Sequence, residues 1–222
     1  AVPTVTAGNT ALLKHASNVT GCALIIQDIF SKAGYPKGCF QTLVTDHDVI
    51  ETIIGDRRIK AVSLTGSEKA GKSIAETAGR HLKKCVLELG GNNACVVFAD
   101  ANLDKYLDIM VDARMQNTGQ SCIAAKRFIV EESIYDEFLE KFTDKVKSLN
   151  EGNPKDDNSK MTVLARPDLA ETLKNQVEKS LKKGARVHYG GKQEKAYYQP
   201  TILTEVKPSM PAFEEETFGP VA

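Results

Sequence analysis

Apolar and polar positions along this chain switch repeatedly between two spacings. Apolar runs of strand length occur at Ala11-Leu12-Leu13, Cys39 to Val44, Ile59 to Leu64 and Cys85 to Leu89. Stretches with helical spacing lie between them. The first run ends at Lys14 and follows a turn signal, Ala7-Gly8-Asn9-Thr10. Helices are predicted from a cap at Asn18 to Ala33, from a cap at Asp46 through Ile54, and from Thr65-Gly66-Ser67 to about Leu82. Gly34 and Pro36 stop the first of these. After Gly91 the pattern restarts. Strands are predicted at Cys95 to Phe98, 126–130, Val187 to Tyr189 and Thr201 to Val206. Helices are predicted from Asp100 or Asn102 towards Asn117, from a cap at Ser133 to about Leu149, and from Pro167 to Lys183.

Strands alternating with helices at this spacing predict an α/β fold with a parallel sheet. No internal repeat or low-complexity tract interrupts it. The double glycine at 90–91 marks the expected domain boundary, dividing the chain into 1–90 and 91–222. The 222 residues suffice for a substantial core, and 41% are apolar. Charge balances, 29 basic against 29 acidic residues, which argues against a nucleic-acid or acidic-membrane partner. No apolar run has bilayer-spanning length, and Ala1-Val2-Pro3-Thr4 does not read as a signal peptide. The cysteines are Cys22, Cys39, Cys85, Cys95 and Cys122, an odd number without a C-x-x-C. That argues against a disulfide framework and makes a reducing, cytoplasmic setting the expectation. The four histidines show no ligand spacing, so no metal site is expected.

Two motifs carry chemistry. Glu88-Leu89-Gly90-Gly91 closes a strand, and Asn117-Thr118-Gly119-Gln120-Ser121-Cys122 follows a helix. A cysteine attacks electrophilic carbon as its thiolate, and a glutamate can draw a proton from water to release the resulting thioester. Gly119 permits close backbone approach, and the Cys122 amide can face a developing oxyanion. Taken singly, each residue has a plainer explanation. Most cysteines are buried structural thiols, which is the expectation for Cys22, Cys39, Cys85 and Cys95. Glu88 alone could be an outward-facing strand residue, although a place at the strand end would partly desolvate it and suit it to act as a base. Thr65-Gly66-Ser67 could be only a helix cap. Following a strand and opening a helix, it also makes an anion site for a pyrophosphate.

Together these motifs resemble the active-site signatures of the aldehyde dehydrogenase superfamily. The match runs through Ala7 to Thr10, Lys14-His15-Ala16, Leu64 to Ser67, Leu87 to Gly91, Gln116 to Cys122 and Glu216-Thr217-Phe218-Gly219-Pro220-Val221. The similarity is greatest to the succinate-semialdehyde dehydrogenase branch. It implies the C-terminal part of a Rossmann-like NAD(P)-binding domain over 1–90 and the N-terminal part of a thiol-bearing catalytic domain over 91–222. The chain would then be an interior fragment of a longer parent, itself a homodimer or homotetramer acting on a small-molecule aldehyde. By the same resemblance Cys122 is the nucleophile and Glu88 the base for deacylation. Lys14, Ser17, Gly66, Ser67, Leu89, Glu216 and Phe218 would contact the cofactor. Ser17 stands where NAD-preferring members often carry a glutamate, so NAD and NADP both stay open. Gln116 stands where several semialdehyde-specific members carry an arginine that pairs with the substrate carboxylate. The glutamine brings no charge to that position, and Arg114 is expected to face elsewhere on its helix. Two alternatives remain: acyl transfer to coenzyme A, which a water-activating Glu88 argues against, and an inactive remnant that binds nucleotide or a partner.

Overall fold

A computed structural model describes all residues, 1–222. The chain forms two compact units, residues 1–65 with 69–87 and residues 66–68 with 88–222.

The first unit runs α1 (Val2–Thr6), β1 (Ala11–Lys14), α2 (Thr20–Lys32), β2 (Phe40–Leu43), α3 (Ile50–Gly55), β3 (Ala61–Thr65), α4 (Glu68–Arg80) and β4 (Lys84–Glu88). Strands β1 and β2 pair in parallel from Ala11 opposite Phe40 to Lys14 opposite Leu43, and β3 is hydrogen-bonded to β4. A small core joins Val5, Phe30 and Phe40, with the two phenylalanine rings stacked 4.7 Å apart. Gly34, at φ +84°, ends α2 in the left-handed turn that glycine favours.

Local capping departs from the sequence reading. Residues 2–6 form a short helix ahead of the turn. A 3-10 turn, Ser17–Val19, precedes α2, so Asn18 lies inside that turn and does not cap the helix. The cap of α3 is Val49, not Asp46, and it makes no side-chain bond. Of the thiols expected in the core, Cys39 and Cys95 are half-buried and pack against it, Cys85 is half-buried, and Cys22 is exposed. Cys22 sits on the exposed side of α2, where only Ala23 and Phe30 are buried.

The second unit opens with β5 (Asn93–Val97), α5 (Leu103–Met115), β6 (Ala125–Val130) and α6 (Tyr135–Lys147). Strands β5 and β6 are parallel, joined through α5. Asn102 caps α5, its side chain accepting from the Lys105 amide at 3.0 Å. Ser133 does not cap α6; its hydroxyl lies beside Glu131 and Ile134 occupies the cap. Leu103, Leu107 and Val111 on α5 meet Phe138, Phe142 and Val146 on α6 at helical spacing, over Val97 and Phe128. Phe128 and Phe142 lie 4.8 Å apart, and Phe138 and Phe142 5.3 Å. Burying a ring such as Phe142 contributes roughly 1.5–3 kcal/mol.

The remainder is α7 (Pro167–Leu181), β7 (Arg186–Tyr189), β8 (Gln193–Glu194), β9 (Tyr197–Tyr198), β10 (Ile202–Thr204) and α8 (Pro211–Glu214). β10 runs antiparallel to β7, and β8 to β9. The β8–β9 pair and α8 are too short to leave a periodic signal. A second core gathers Leu164, Leu173, Val177, Tyr198, Leu203 and Val221. The last residues lie alongside β10, with the Thr201 amide bonded to the Pro220 carbonyl at 2.8 Å and the Leu203 amide to the Ala222 carbonyl at 2.8 Å. No helix is long and apolar enough to cross a membrane.

Candidate active site

Cys122 lies in a turn between α5 and β6, and it is exposed. The turn begins where α5 ends. Asn117, Thr118 and Gly119 all have positive φ, at 53°, 56° and 68°. Thr118 is the least suited of the three to that conformation, because it is β-branched. Surrounding contacts hold it: Thr118 is buried, its Oγ1 lies 3.3 Å from Thr162 Oγ1, and it accepts from the Thr162 amide at 3.1 Å. Gly119 has no alternative. A Cβ there would strike the Gly219 carbonyl, and the Gly219 amide donates to the Gly119 carbonyl at 3.2 Å. Close approach was the role expected of this glycine; its neighbour is the 217–221 segment.

Arg114 secures that segment from below. It is fully buried on α5, in phase with Leu107 and Val111. Its Nε donates to the Val221 carbonyl at 2.5 Å, and its Nη2 to the carbonyls of Thr217 (3.2 Å) and Gly219. Burial draws the guanidinium down to about 9, against an opposing influence of the Glu216 carboxylate. The expectation that Arg114 faces elsewhere than Gln116 holds, and its destination is structural. Gln116 is exposed at the C-cap of α5.

Glu216 is the centre of the polar network. Its Oε1 accepts from the Gly91 amide at 3.1 Å and lies 3.1 Å from Lys126 Nζ. Its other oxygen fills the space where a Gly90 Cβ would stand. Lys126, the second residue of β6, has a side chain with no solvent exposure, and its Nζ also donates to the carbonyls of Ser121 (2.9 Å) and Cys122 (2.8 Å). A Cβ on Gly91 would sit 3.3 Å from the Cys122 carbonyl oxygen. The strand end carrying Glu88 and the turn carrying Cys122 are therefore neighbours, three residues of backbone from Glu88. Glu88 itself is exposed. Leu89 is half-buried and Phe218 is 37% exposed.

The remaining sequence candidates sit at strand ends. Lys14 closes β1 and donates to the His15 carbonyl at 2.9 Å; Ser17, exposed, opens the 3-10 turn beyond it. His15 Nε2 between them is buried without a partner. An ammonium, an exposed hydroxyl and an unsatisfied ring nitrogen at the carboxyl end of parallel strands suit a polar ligand such as an adenosine ribose. Gly66 and Ser67 follow β3, but the Gly66 amide donates to the Glu88 carbonyl at 3.0 Å. Gly66 thus ties two strand ends together, and its amide is committed, unlike the free donor an anion site calls for.

Lys126 and Arg114 were both missed as site residues, yet each left a trace. Arg114 continues the buried stripe of α5, and Lys126 shares strand parity with Phe128 and Val130. A charged residue in an apolar phase is a signal that it is paired indoors.

The aldehyde dehydrogenase family model matches residues 1–222. The chain is 48% identical over its whole length to the NAD(P)+ succinate semialdehyde dehydrogenase Sad of Escherichia coli K12, and 44% identical to an NADP(+) succinate-semialdehyde dehydrogenase of Mycobacterium tuberculosis H37Rv. It covers 49% of each. The crystal structure of succinic semialdehyde dehydrogenase from Streptococcus pyogenes in complex with NADP+ superposes with a TM-score of 0.96 at 35% identity, over 99% of this chain and 49% of that one. The chain spans about half the length of the curated relatives it matches. A family model that matches residues 1–222, with a backbone match over 99% of the chain, makes this chain a member of the aldehyde dehydrogenase family.

Proposed function

We propose that the protein to which this chain belongs oxidises an aldehyde, a short semialdehyde such as succinate semialdehyde, to the carboxylic acid through a thioester on Cys122. The observation that carries this reading is the meeting of three segments at Glu216: the Gly91 amide and Lys126 Nζ each lie 3.1 Å from its Oε1, and Lys126 also holds the Cys122 carbonyl. The Cys122 sulfur attacks the aldehyde carbon, giving a thiohemiacetal whose oxygen faces the Cys122 amide. A bound NAD or NADP would supply the hydride acceptor. Glu88 takes a proton from the water that cleaves the thioester, and its exposure gives water ready access.

Lys14 and Ser17 would hold the adenosine ribose, Ser67 the pyrophosphate through the start of α4, and Glu216 with Leu89 and Phe218 the nicotinamide end. The names of relatives, NAD(P)+ and NADP(+) enzymes, support either cofactor. Ser17 supports the same breadth, because a hydroxyl does not repel a 2′-phosphate. Five free cysteines suit a reducing, cytoplasmic compartment. Gln116 would meet the distal end of the substrate by hydrogen bonding.

The test is absorbance at 340 nm with succinate semialdehyde and either coenzyme, beside mass-spectrometric mapping of electrophile labelling over the five thiols. Turnover abolished by Cys122→Ala, with preferential labelling of Cys122 that coenzyme modulates, supports the reading. Coenzyme binding without turnover supports a nucleotide-binding remnant instead. Even labelling of all five thiols refutes the reading.

A further inference from the structure

We infer that Lys126 is a positioning residue for the nucleophile, orienting the peptide groups on both sides of Cys122 so that the Cys122 amide is aimed as an oxyanion donor. The inference rests on the reading of Cys122 as the attacking sulfur.

The Lys126 ammonium has three protons and three acceptors: the Ser121 carbonyl at 2.9 Å, the Cys122 carbonyl at 2.8 Å and Glu216 Oε1 at 3.1 Å. Its side chain has no solvent exposure, so water replaces none of these bonds. The chain contains no cis peptide. In a trans peptide the carbonyl and the amide N–H point in opposite directions. Seating the Ser121 carbonyl on Lys126 therefore turns the Cys122 N–H away from the ammonium. Seating the Cys122 carbonyl on the same atom stops the next peptide from rotating in compensation. Two adjacent peptide planes are fixed by one buried charge. Glu216 completes the lock from a distant segment and is itself fastened to the Gly91 amide, which brings the Glu88 strand end into register with the turn.

Lys126 touches no reacting atom. Its influence should appear only in reactions that build negative charge on a carbonyl oxygen at Cys122. Two thiol reagents separate these. With p-nitrophenyl acetate, the Cys122 sulfur bonds to the ester carbon through a tetrahedral oxyanion, p-nitrophenolate departs, and the thiol proton goes to solvent. With iodoacetamide, sulfur displaces iodide at a saturated carbon and no oxyanion forms. Neither needs coenzyme or turnover.

The experiment measures both rates at Cys122 by peptide mapping, with exposed Cys22 as the internal reference, in the wild-type chain and in Lys126→Met. The expected result is that acylation of Cys122 falls at least about tenfold, less than the roughly 100- to 1000-fold cost of removing an oxyanion donor because the amide is misaimed and not lost, while alkylation stays within about twofold. Equal acylation in variant and wild type, or a parallel fall in both rates, overturns the inference. If Lys126→Met lacks the wild-type circular dichroism spectrum, Lys126→Arg decides by the same two rates. A planar guanidinium keeps the charge but cannot meet three acceptors that converge on one atom, so acylation alone should fall. A wild-type chain in which ester and iodoacetamide favour Cys122 no more than Cys22 sinks the nucleophile reading itself, and this inference with it. Wild-type preference of the ester for Cys122 that survives both substitutions sinks the inference alone.

Discussion

Arg114 Nε donates to the carbonyl of Val221, 107 residues further along the chain, at 2.5 Å. The same guanidinium reaches the carbonyls of Thr217 and Gly219, so one helix residue satisfies three acceptors in the segment that carries Phe218 and begins beside Glu216. Arg114→Met should lower the unfolding free energy by about 3 kcal/mol, because buried carbonyls lose charged donors. Arg114→Lys should recover little of it, since a single ammonium nitrogen cannot reproduce the fork by which Nε reaches Val221 while Nη2 reaches Thr217 and Gly219. Urea unfolding checks both, with exposed Gln116→Ala expected within about 0.5 kcal/mol of wild type.

Gly119→Ala should destabilise by more than the roughly 1–2 kcal/mol of left-handed backbone strain, because its Cβ also meets the Gly219 carbonyl. Gly21→Ala, in α2 with open space around it, should instead stabilise by roughly 0.5–1 kcal/mol. Thermal melts of the pair should move in opposite directions. Both moving downward would remove close packing as the explanation.

Lys141 bridges α5 and α6 through Asp104 at 2.7 Å, and its hydrogen bond holds the Asp104 carboxyl below its ordinary value of 3.8. A carboxylate depressed in the folded state stabilises above its unfolded pKa, and that contribution is lost as pH falls through the folded value. Acid titration below pH about 4 should therefore cost the wild type more than Asp104→Asn. Melting temperatures at pH about 5 and about 2 supply the comparison. An equal drop in the two proteins contradicts the linkage.

Burial raises the Cys95 thiol above its ordinary value, whereas Cys22 and Cys122 are exposed. Iodoacetamide at neutral pH should modify Cys95 more slowly than either, because the thiolate is the reacting form. Labelling time courses by mass spectrometry give the order. Cys95 reacting as fast as Cys22 would show that β5 opens on the labelling timescale.

Gly90→Ala should displace the Glu216 carboxylate, whose oxygen occupies the added Cβ position. The flexible end of that side chain can move, so stability should change by less than about 1 kcal/mol. The consequence should fall on coenzyme, as weaker NADP+ binding in a fluorescence titration. Unchanged binding would separate Glu216 from the coenzyme.

Much of the architecture was legible because strand-length apolar runs and helical spacing are local. β1 through β6 and the five longest helices stand within a few residues of the positions read from periodicity. Caps were less legible. Asn18, Asp46 and Ser133 have capping side chains, but a 3-10 turn or a different start shifts each out of phase, whereas Asn102 caps as its type suggests. Nothing short-range distinguishes these four cases.

The amino-acid order alone determined the strand–helix alternation and the Asn117 to Cys122 motif, since each depends on neighbouring residues; the contact with Gly219 that requires glycine at 119 came from tertiary packing. The order did not determine which charges lie indoors. Lys126 and Arg114 could have been solvated cations by composition. Only tertiary packing, by closing water out and converging carbonyls from residues far along the chain, decided that one ammonium would hold the cysteine turn and one guanidinium the segment beyond Glu216.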